Sequence, residues 1–180
     1  MVIQPRRFAI VASASGNGKT TLGRALAAQL ELPFLELDSL FHGPNWTLQP
    51  AVDVRIQLEP VIAEPGWVID GVYISQLGNL VHGSADLIVW LDLPMRVWLP
   101  RLLRRTHRRI RTREQLWNGN TESWRGAFFG WNSLLPYAIR SYFRRRRRQW
   151  PAVFAPTPVI RLRTQAEIDA FLAQAVAGKP

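Results

Sequence analysis

The sequence predicts an α/β protein built on a parallel sheet, and two observations carry that prediction. Short apolar runs alternate with helical patterns along the chain, the order expected of successive βαβ units. Between the first apolar run and the first helix lies Ser13-Ala14-Ser15-Gly16-Asn17-Gly18-Lys19-Thr20-Thr21, a turn with two glycines and a lysine. Strand, glycine-rich turn and helix in that order form a phosphate-binding loop.

The first strand is Phe8-Ala9-Ile10-Val11-Ala12, and the helix after the loop carries Leu22, Leu26 and Leu30 along one face. In such a loop successive backbone N–H groups curl around a phosphate while the positive end of the helix dipole points at it. Ser15, Gly16, Asn17, Gly18, Lys19, Thr20 and Thr21 are therefore the expected nucleotide-binding residues. Lys19 would reach the β/γ oxygens, and Thr20 would offer its hydroxyl to Mg²⁺. The full pattern opens with glycine, where this chain has Ser13. The close approach to phosphate is made mainly around Gly16 to Lys19, so the departure is tolerable.

Strand 2 is read as Phe34-Leu35-Glu36-Leu37, entered from Pro33 and ending at Asp38. A helix follows over roughly 50–63, with Val54, Leu58, Val61 and Ile62 on one face. Strand 3 is Trp67-Val68-Ile69, ending at Asp70-Gly71, and strand 4 is Leu87-Ile88-Val89-Trp90-Leu91, ending at Asp92. Pro94 opens a helix to about 109, with Met95, Trp98, Leu99, Leu102 and Leu103 opposite Arg101, Arg104, Arg105 and Arg108. Thr106 to Thr121 reads as a basic, irregular stretch. From Trp124 a second helical pattern runs to about Arg148, carried by Trp124, Phe128, Trp131, Leu135, Ile139 and Tyr142, with Gly130 and Pro136 as points of bending. Pro158 to Leu162 is strand 5, and Thr164-Gln165-Ala166-Glu167 is a capping box for a last helix whose apolar face is Ile168, Phe171, Leu172 and Val176.

A chain of 180 residues, 47% apolar and 20% charged, is long enough for a substantial core and is globular in composition. The absence of cysteine excludes disulfides and thiolate zinc sites. With neither an apolar run near the length of a membrane span nor a signal-peptide pattern, no membrane association and a cytoplasmic location are expected. The net charge of +10 is uneven: residues 1–100 carry −3, residues 101–148 carry +12 and residues 149–180 carry +1. Such a basic segment attracts polyanions, nucleotides and nucleic acid among them.

Ligands of an open parallel sheet bind beyond the carboxyl ends of its strands, where Asp38, Asp70 and Asp92 fall. Asp92, before Leu93-Pro94, reads as a turn or helix cap. Asp70, closing an apolar strand before glycine, suits a carboxylate that holds Mg²⁺ directly or through water. Asp38 is placed to bind an acceptor and take its proton.

Taken together, Gly16-Asn17-Gly18-Lys19-Thr20-Thr21, Leu37-Asp38-Ser39-Leu40-Phe41, Trp67-Val68-Ile69-Asp70-Gly71-Val72-Tyr73, Trp90-Leu91-Asp92-Leu93-Pro94 and Leu116-Trp117-Asn118-Gly119-Asn120 resemble the adenylate-kinase-related P-loop proteins often labelled topology modulation proteins. The resemblance spans nearly the whole chain. It implies a P-loop three-layer sandwich with a five-stranded parallel sheet of the nucleoside-monophosphate-kinase type and an arginine-rich lid. One unit over 1–180 is expected, with an acceptor-side insertion at about 39–64 and a lid at about 106–123. The chain departs from the family at Ser13 and at Val72, where the family usually has asparagine.

Kinases acting on a nucleoside monophosphate place arginines after strand 2 and in an Asp-Gly-x-Pro-Arg turn after strand 3. Here Asp70-Gly71-Val72-Tyr73-Ile74 lacks the Pro-Arg, and no arginine lies between Leu32 and Val54, leaving Arg55 alone on that side. Asp38 resembles the layout of shikimate- and gluconate-type kinases, in which an aspartate grips a substrate hydroxyl. The expected activity is therefore transfer of the γ-phosphoryl of ATP, with Mg²⁺, to a hydroxyl on a small molecule. Lys19, Asp38 and the arginines Arg101, Arg105 and Arg109, which repeat at i, i+4 and i+8, are the expected catalytic set. His42 and Tyr73 could each touch the acceptor or simply pack. The run Arg144 to Arg148 suits either a helix end or nucleic acid. Two other readings stay open: a regulatory nucleotide-binding protein engaging nucleic acid through its basic segment, and a slow NTPase.

Overall fold

The computed structural model describes residues 5–130, 133–146 and 150–177. Five strands, β1 (Arg7–Ala12), β2 (Phe34–Glu36), β3 (Trp67–Asp70), β4 (Leu87–Leu91) and β5 (Val159–Leu162), form one sheet in the order β2-β3-β1-β4-β5. Every pairing is parallel. The α/β fold with a five-stranded parallel sheet is thus as the sequence predicts.

β1 lies at the centre, and its side chains alternate between two cores. Ala9 and Val11 join Leu37, Phe41, Val54, Leu58, Trp67 and Ile69 on one face. Phe8, Ile10 and Ala12 join Leu22, Leu26, Val68, Val89 and Ile168 on the other. A strand buried on both faces reads as a continuous apolar run, which is what the sequence of β1 and β4 contains. Helices α1 (Lys19–Leu30) and α9 (Gln165–Ala177) cover the second face. Helix α3 (Ala51–Ala63) and the short α8 (Trp150–Val153) lie on the first. At the head of α9 Thr164 Oγ1 accepts the Glu167 N–H at 3.1 Å, and the Glu167 carboxylate accepts the Arg163 N–H at 2.7 Å, close to the capping box expected.

Four elements differ from the sequence reading. β2 ends at Glu36, and Asp38 belongs to the first turn of a short helix α2 (Leu37–Phe41) rather than to a strand end. Helix α5 runs over Met95–Thr112, so residues 106–112 are helical, and Thr106 is buried with Trp98 and Leu102 on the packed face. The pattern over 124–148 breaks into α6 (Trp124–Phe128) and α7 (Leu134–Arg144), with Gly130 at φ +114° between them. Only glycine adopts that backbone cheaply, so the helix cannot run through. Trp124 is half exposed instead of packed in the core. Trp131, Arg147 and Arg148 lie outside the described residues, as does the Val176 side chain.

Asp92 does not cap a turn. It is buried beside β5, ion-paired with Arg146 and Arg161. α5 and α7 pack together through Trp98, Leu102, Ala138 and Tyr142, with Ala14 of the loop inside the same cluster. This third core sets both helices against the loop that follows β1. No helix among the described residues is long and apolar enough to cross a membrane. Helix α4 (Ile74–Leu77) and two 3-10 turns, Pro44–Trp46 and Trp117–Gly119, complete the described elements that border the site.

Candidate active site

The loop after β1 is shaped by two glycines with left-handed backbones, Gly16 at φ +86° and Gly18 at φ +91°. A Cβ at Gly16 would stand 2.6 Å from the Trp98 carbonyl oxygen, so α5 sits where only glycine leaves room. Asn17 is buried and ties the loop down, donating from Nδ2 to the Ala14 carbonyl and accepting the Leu93 N–H at Oδ1, both at 2.9 Å. Gly18 caps α1 without a side-chain hydrogen bond, and the first turn of α1 holds no acidic residue. The leading N–H groups of a 12-residue helix are therefore directed at the loop's interior, an arrangement that accepts phosphate oxygens. Ser15 is half-buried and Thr21 exposed, both on this rim.

Parallel register brings the acidic side chains to the loop. β3 pairs with β1 so that Asp70 stands beside Ile10, and β2 pairs with β3 so that Glu36 stands beside Asp70. Both carboxylates consequently lie at the carboxyl ends of adjacent strands, facing the start of α1. Lys19 Nζ is 2.8 Å from Asp70 Oδ1. The Thr20 hydroxyl oxygen is 2.6 Å from Asp70 Oδ2 and 3.1 Å from Glu36 Oε1. Burial works against the Lys19 ammonium, but attraction to Asp70 and then Asp38 outweighs it and holds its pKa above the ordinary lysine value.

Thr20, Asp70 and Glu36 form a set of hard oxygens that suits Mg²⁺, which is commonly held by one or two carboxylates together with phosphate and water. Among the described residues no three acidic or histidine side chains make a self-sufficient metal cage. A hydroxyl and two carboxylates open to a bound phosphate fit the pattern of a metal that arrives with nucleotide.

Asp38 is the second carboxylate whose charge acts on Lys19. Its Oδ1 accepts the Tyr73 hydroxyl hydrogen at 2.6 Å, and the Tyr73 ring stacks on Phe41 with centroids 3.9 Å apart. Burial, followed by the Asp38 charge and this hydrogen bond, raises the Tyr73 pKa, so the phenol stays neutral and donating. Of the three arginines expected here, Arg105 is the one that comes closest to this chemistry. Its pKa is lowered, burial first and then Arg109, against the opposing pull of Glu122, Asp38 and Glu114. Its buried Nε has no hydrogen-bond partner among the described residues. Arg109 bonds Glu114 at 3.2 Å and Glu122 at 3.0 Å. Arg101 is exposed and bonds Gln165 at 3.0 Å, away from Asp38. Arg55 is exposed and reaches the Leu77 carbonyl.

Arg145 joins the site although nothing in its run of arginines singles it out. Its guanidinium donates to the Ala12 carbonyl at 3.3 Å and to the Tyr137 hydroxyl at 3.2 Å. Burial lowers its pKa, and its charge is felt by Lys19 while it feels Asp38 and Tyr73. Lys19, Arg105 and Arg145 are thus three cations on which the Asp38 charge acts.

The turn at Trp117–Gly119 clasps the turn at Pro44–Trp46. Asn118 donates to the His42 carbonyl at 2.6 Å. Asn120 donates to the Gly43 carbonyl at 2.8 Å and accepts the Trp46 N–H at 2.8 Å. His42 stacks on Trp117 at 5.7 Å, and Trp46 meets both rings edge-on. Glu36, Arg145 and Asn120 were the residues that sequence reasoning missed. Glu36 left a signal as an acid two residues before Asp38, and Asn120 as part of Leu116-Trp117-Asn118-Gly119-Asn120.

No protein-family model and no curated protein matches the chain. Solved structures do. A shikimate kinase from Acinetobacter baumannii in complex with shikimate superposes with TM-score 0.53 at 17% identity, over 96% of this chain and 94% of that one. A gluconokinase from Sinorhizobium meliloti gives TM-score 0.51 at 20% identity, over 97% and 91%. A deoxyadenosine kinase from M. mycoides with bound dATP gives 0.50 at 9% identity, over 93% and 97%. At such identities the likeness is one of fold, and it extends over nearly the full length of each chain: the chain shares the α/β fold of these kinases.

Proposed function

We propose that the protein is an ATP-dependent kinase that transfers the γ-phosphoryl of ATP to a hydroxyl group of a small molecule. The observation that carries this reading is a second carboxylate whose charge acts on Lys19: besides Asp70, in contact at 2.8 Å, there is Asp38, held by the Tyr73 hydroxyl at 2.6 Å. A nucleotide-binding module needs the first carboxylate, and the second suits an acceptor hydroxyl whose proton it can take. The shared fold with shikimate and gluconate kinases supports the same direction.

In this reading the loop from Ser15 to Thr21 holds the triphosphate through its backbone N–H groups. Thr20 and Asp70, with Glu36 beside them, would hold Mg²⁺, which would supply neutralisation of the triphosphate's charge. Tyr73 occupies Asp38 Oδ1 and leaves Oδ2 to the acceptor hydroxyl. As the acceptor oxygen bonds to Pγ, its proton passes to Asp38, and the bond from Pγ to the bridging β-oxygen breaks to release ADP. Lys19 and Arg145 offset the charge on the transferring group, and Arg105 faces the acceptor. Positioning and charge supply the rate, since the protein forms no covalent bond of its own. The missing Pro-Arg after Asp70-Gly71 supports a hydroxyl acceptor over a nucleoside monophosphate. The turns 44–46 and 117–119, clasped together, form the lid, and its motifs support membership of the topology-modulation group.

The test is a panel of hydroxylated metabolites and nucleoside monophosphates, scored by acceptor-dependent ADP release. A hydroxylated acceptor should be turned over, and Lys19→Ala should abolish the turnover while the fold persists. Turnover of AMP or CMP with no hydroxylated metabolite overturns the acceptor class, and unchanged turnover in Lys19→Ala overturns the site. The charge of +12 over residues 101–148 favours one competing reading, nucleic-acid binding, which predicts salt-sensitive binding that survives Lys19→Ala.

A further inference from the structure

Ser13 stands where a phosphate-binding loop ordinarily begins with glycine, and its hydroxyl is fully engaged. It donates to Asp92 Oδ1 at 2.6 Å and accepts the Trp90 indole N–H at 2.9 Å. The Asp92 side chain has no exposed surface, and its Oδ2 accepts Arg146 Nε and Arg161 Nε, each at 3.0 Å. Arg161 also lies over the Trp90 ring, 4.1 Å from its centroid, and Arg146 donates to the Tyr142 hydroxyl at 2.8 Å. A buried carboxylate is costly to desolvate, and removing one partner of such a set is strongly destabilising. The cluster therefore binds the root of the loop, the end of β4, the middle of β5 and the end of α7 into one body.

The cluster reaches the site through a chain neighbour. Arg146 is held by Asp92, and Arg145, the residue before it, points its guanidinium to the Ala12 carbonyl and over the Trp150 ring at 5.3 Å. Arg145 is the cation that Lys19 feels from α7. Two adjacent arginines thus divide the work: one is an anchor, the other is presented to the loop.

We infer that Asp92 and Arg146 are positioning residues: Asp92 holds the loop root through Ser13, and Arg146, anchored on Asp92, sets Arg145 on the Ala12 carbonyl where the loop begins. The inference rests on the reading of the loop as an ATP site. It also gives Ser13 a purpose, since glycine at that position would sever the loop from the buried carboxylate.

The test is a double-mutant cycle on ATP·Mg²⁺ affinity by titration calorimetry, with thermal unfolding of each variant as a control. Arg146→Ala should weaken binding about tenfold in the parent chain and less than about twofold in Arg145→Ala, because residues that act through one another are not additive. Arg146→Lys, which restores charge beside Asp92, should recover most of the loss. Ser13→Gly should weaken binding in both backgrounds, since it acts on the loop directly. If Arg146→Ala does not fold, Arg146→Gln runs the same cycle. Equal losses in both backgrounds, or no loss, overturn the inference alone. Absence of ATP binding in the parent chain overturns both the inference and the proposed function.

Discussion

The Tyr73 hydroxyl donates to Asp38 Oδ1 at 2.6 Å, joining the turn after β3 to the first turn of α2. Tyr73 takes a left-handed backbone, φ +40°, to make this contact, and Phe41 stacks beneath its ring. The carboxylate is thereby fixed in rotation with one oxygen in use. Tyr73→Phe keeps the stack and removes the donor. A hydrogen bond to a charged group is worth about 1.5–3 kcal/mol, so kcat/KM for the acceptor should fall by at least about tenfold. ATP affinity should stay within about twofold, because in the proposed site Tyr73 acts through Asp38 on the acceptor alone. Steady-state kinetics with acceptor and ATP varied separately check both.

Asp38→Asn carries the same division further. The amide keeps the shape but cannot take the acceptor's proton, and general-base contributions are typically about 10²–10⁴-fold. The variant should lose kcat by that order while its ATP affinity changes little. An equal loss in ATP affinity would place Asp38 on the donor side instead.

The two loop glycines should respond differently to the same change. Both have left-handed backbones, and that strain costs an alanine roughly 1–2 kcal/mol. At Gly18 a Cβ meets nothing within 4 Å, so Gly18→Ala should show that cost alone. At Gly16 a Cβ would also meet the Trp98 carbonyl at 2.6 Å and force α5 from the loop. Gly16→Ala should therefore lower the unfolding temperature more than Gly18→Ala and weaken ATP binding further.

The donor half of the site was legible because its parts are local. Gly16, Gly18, Lys19 and Thr20 follow one another, and Asp70 ends an apolar run, so pattern and chemistry lie in the same short stretch. The alternating apolar runs likewise fixed the sheet, since a centrally buried strand has to be apolar on both faces. What the sequence hid depends on folding across long separations. Arg145 meets Ala12 across 133 positions, and nothing in a run of arginines marks which one turns inward. Asp92 looked like a turn residue because its partners, Arg146 and Arg161, lie 54 and 69 positions away. Arg101, Arg105 and Arg109 share a helical face, yet a face is broader than a site: the long α5 brings Arg105 under the site and leaves Arg101 beside α9.

The clasp between the two turns hangs on Asn120, which is buried and bonds Gly43, Trp117 and the Trp46 N–H. Asn120→Ala leaves the Trp46 N–H and the Gly43 carbonyl without that partner. Losing such a buried bond costs about 1–3 kcal/mol, so the Trp46 amide should exchange its hydrogen at least about fivefold faster. KM for the acceptor should rise while ATP affinity holds. Hydrogen exchange followed at Trp46, against a β1 amide as reference, separates opening of the clasp from global unfolding.

His82 supplies a pH dependence that has nothing to do with the active site. It is buried, its Nδ1 has no hydrogen-bond partner among the described residues, and its ring meets Phe154 edge-on at 5.4 Å. Burial pushes its pKa below the ordinary histidine value, because the charged ring would lose its water without gaining an acceptor. The unfolded chain then binds a proton more readily than the folded one. Stability from this residue is complete above the unfolded histidine value of about 6.5 and drains away as the pH falls from there through the lowered folded value. The melting temperature should accordingly drop between pH 7.5 and pH 5.5. His82→Leu fills similar space beside Phe154 without a titrating group, so its drop over the same interval should be smaller. Equal drops in the two proteins would assign the acid sensitivity elsewhere and leave His82 as a packing residue alone.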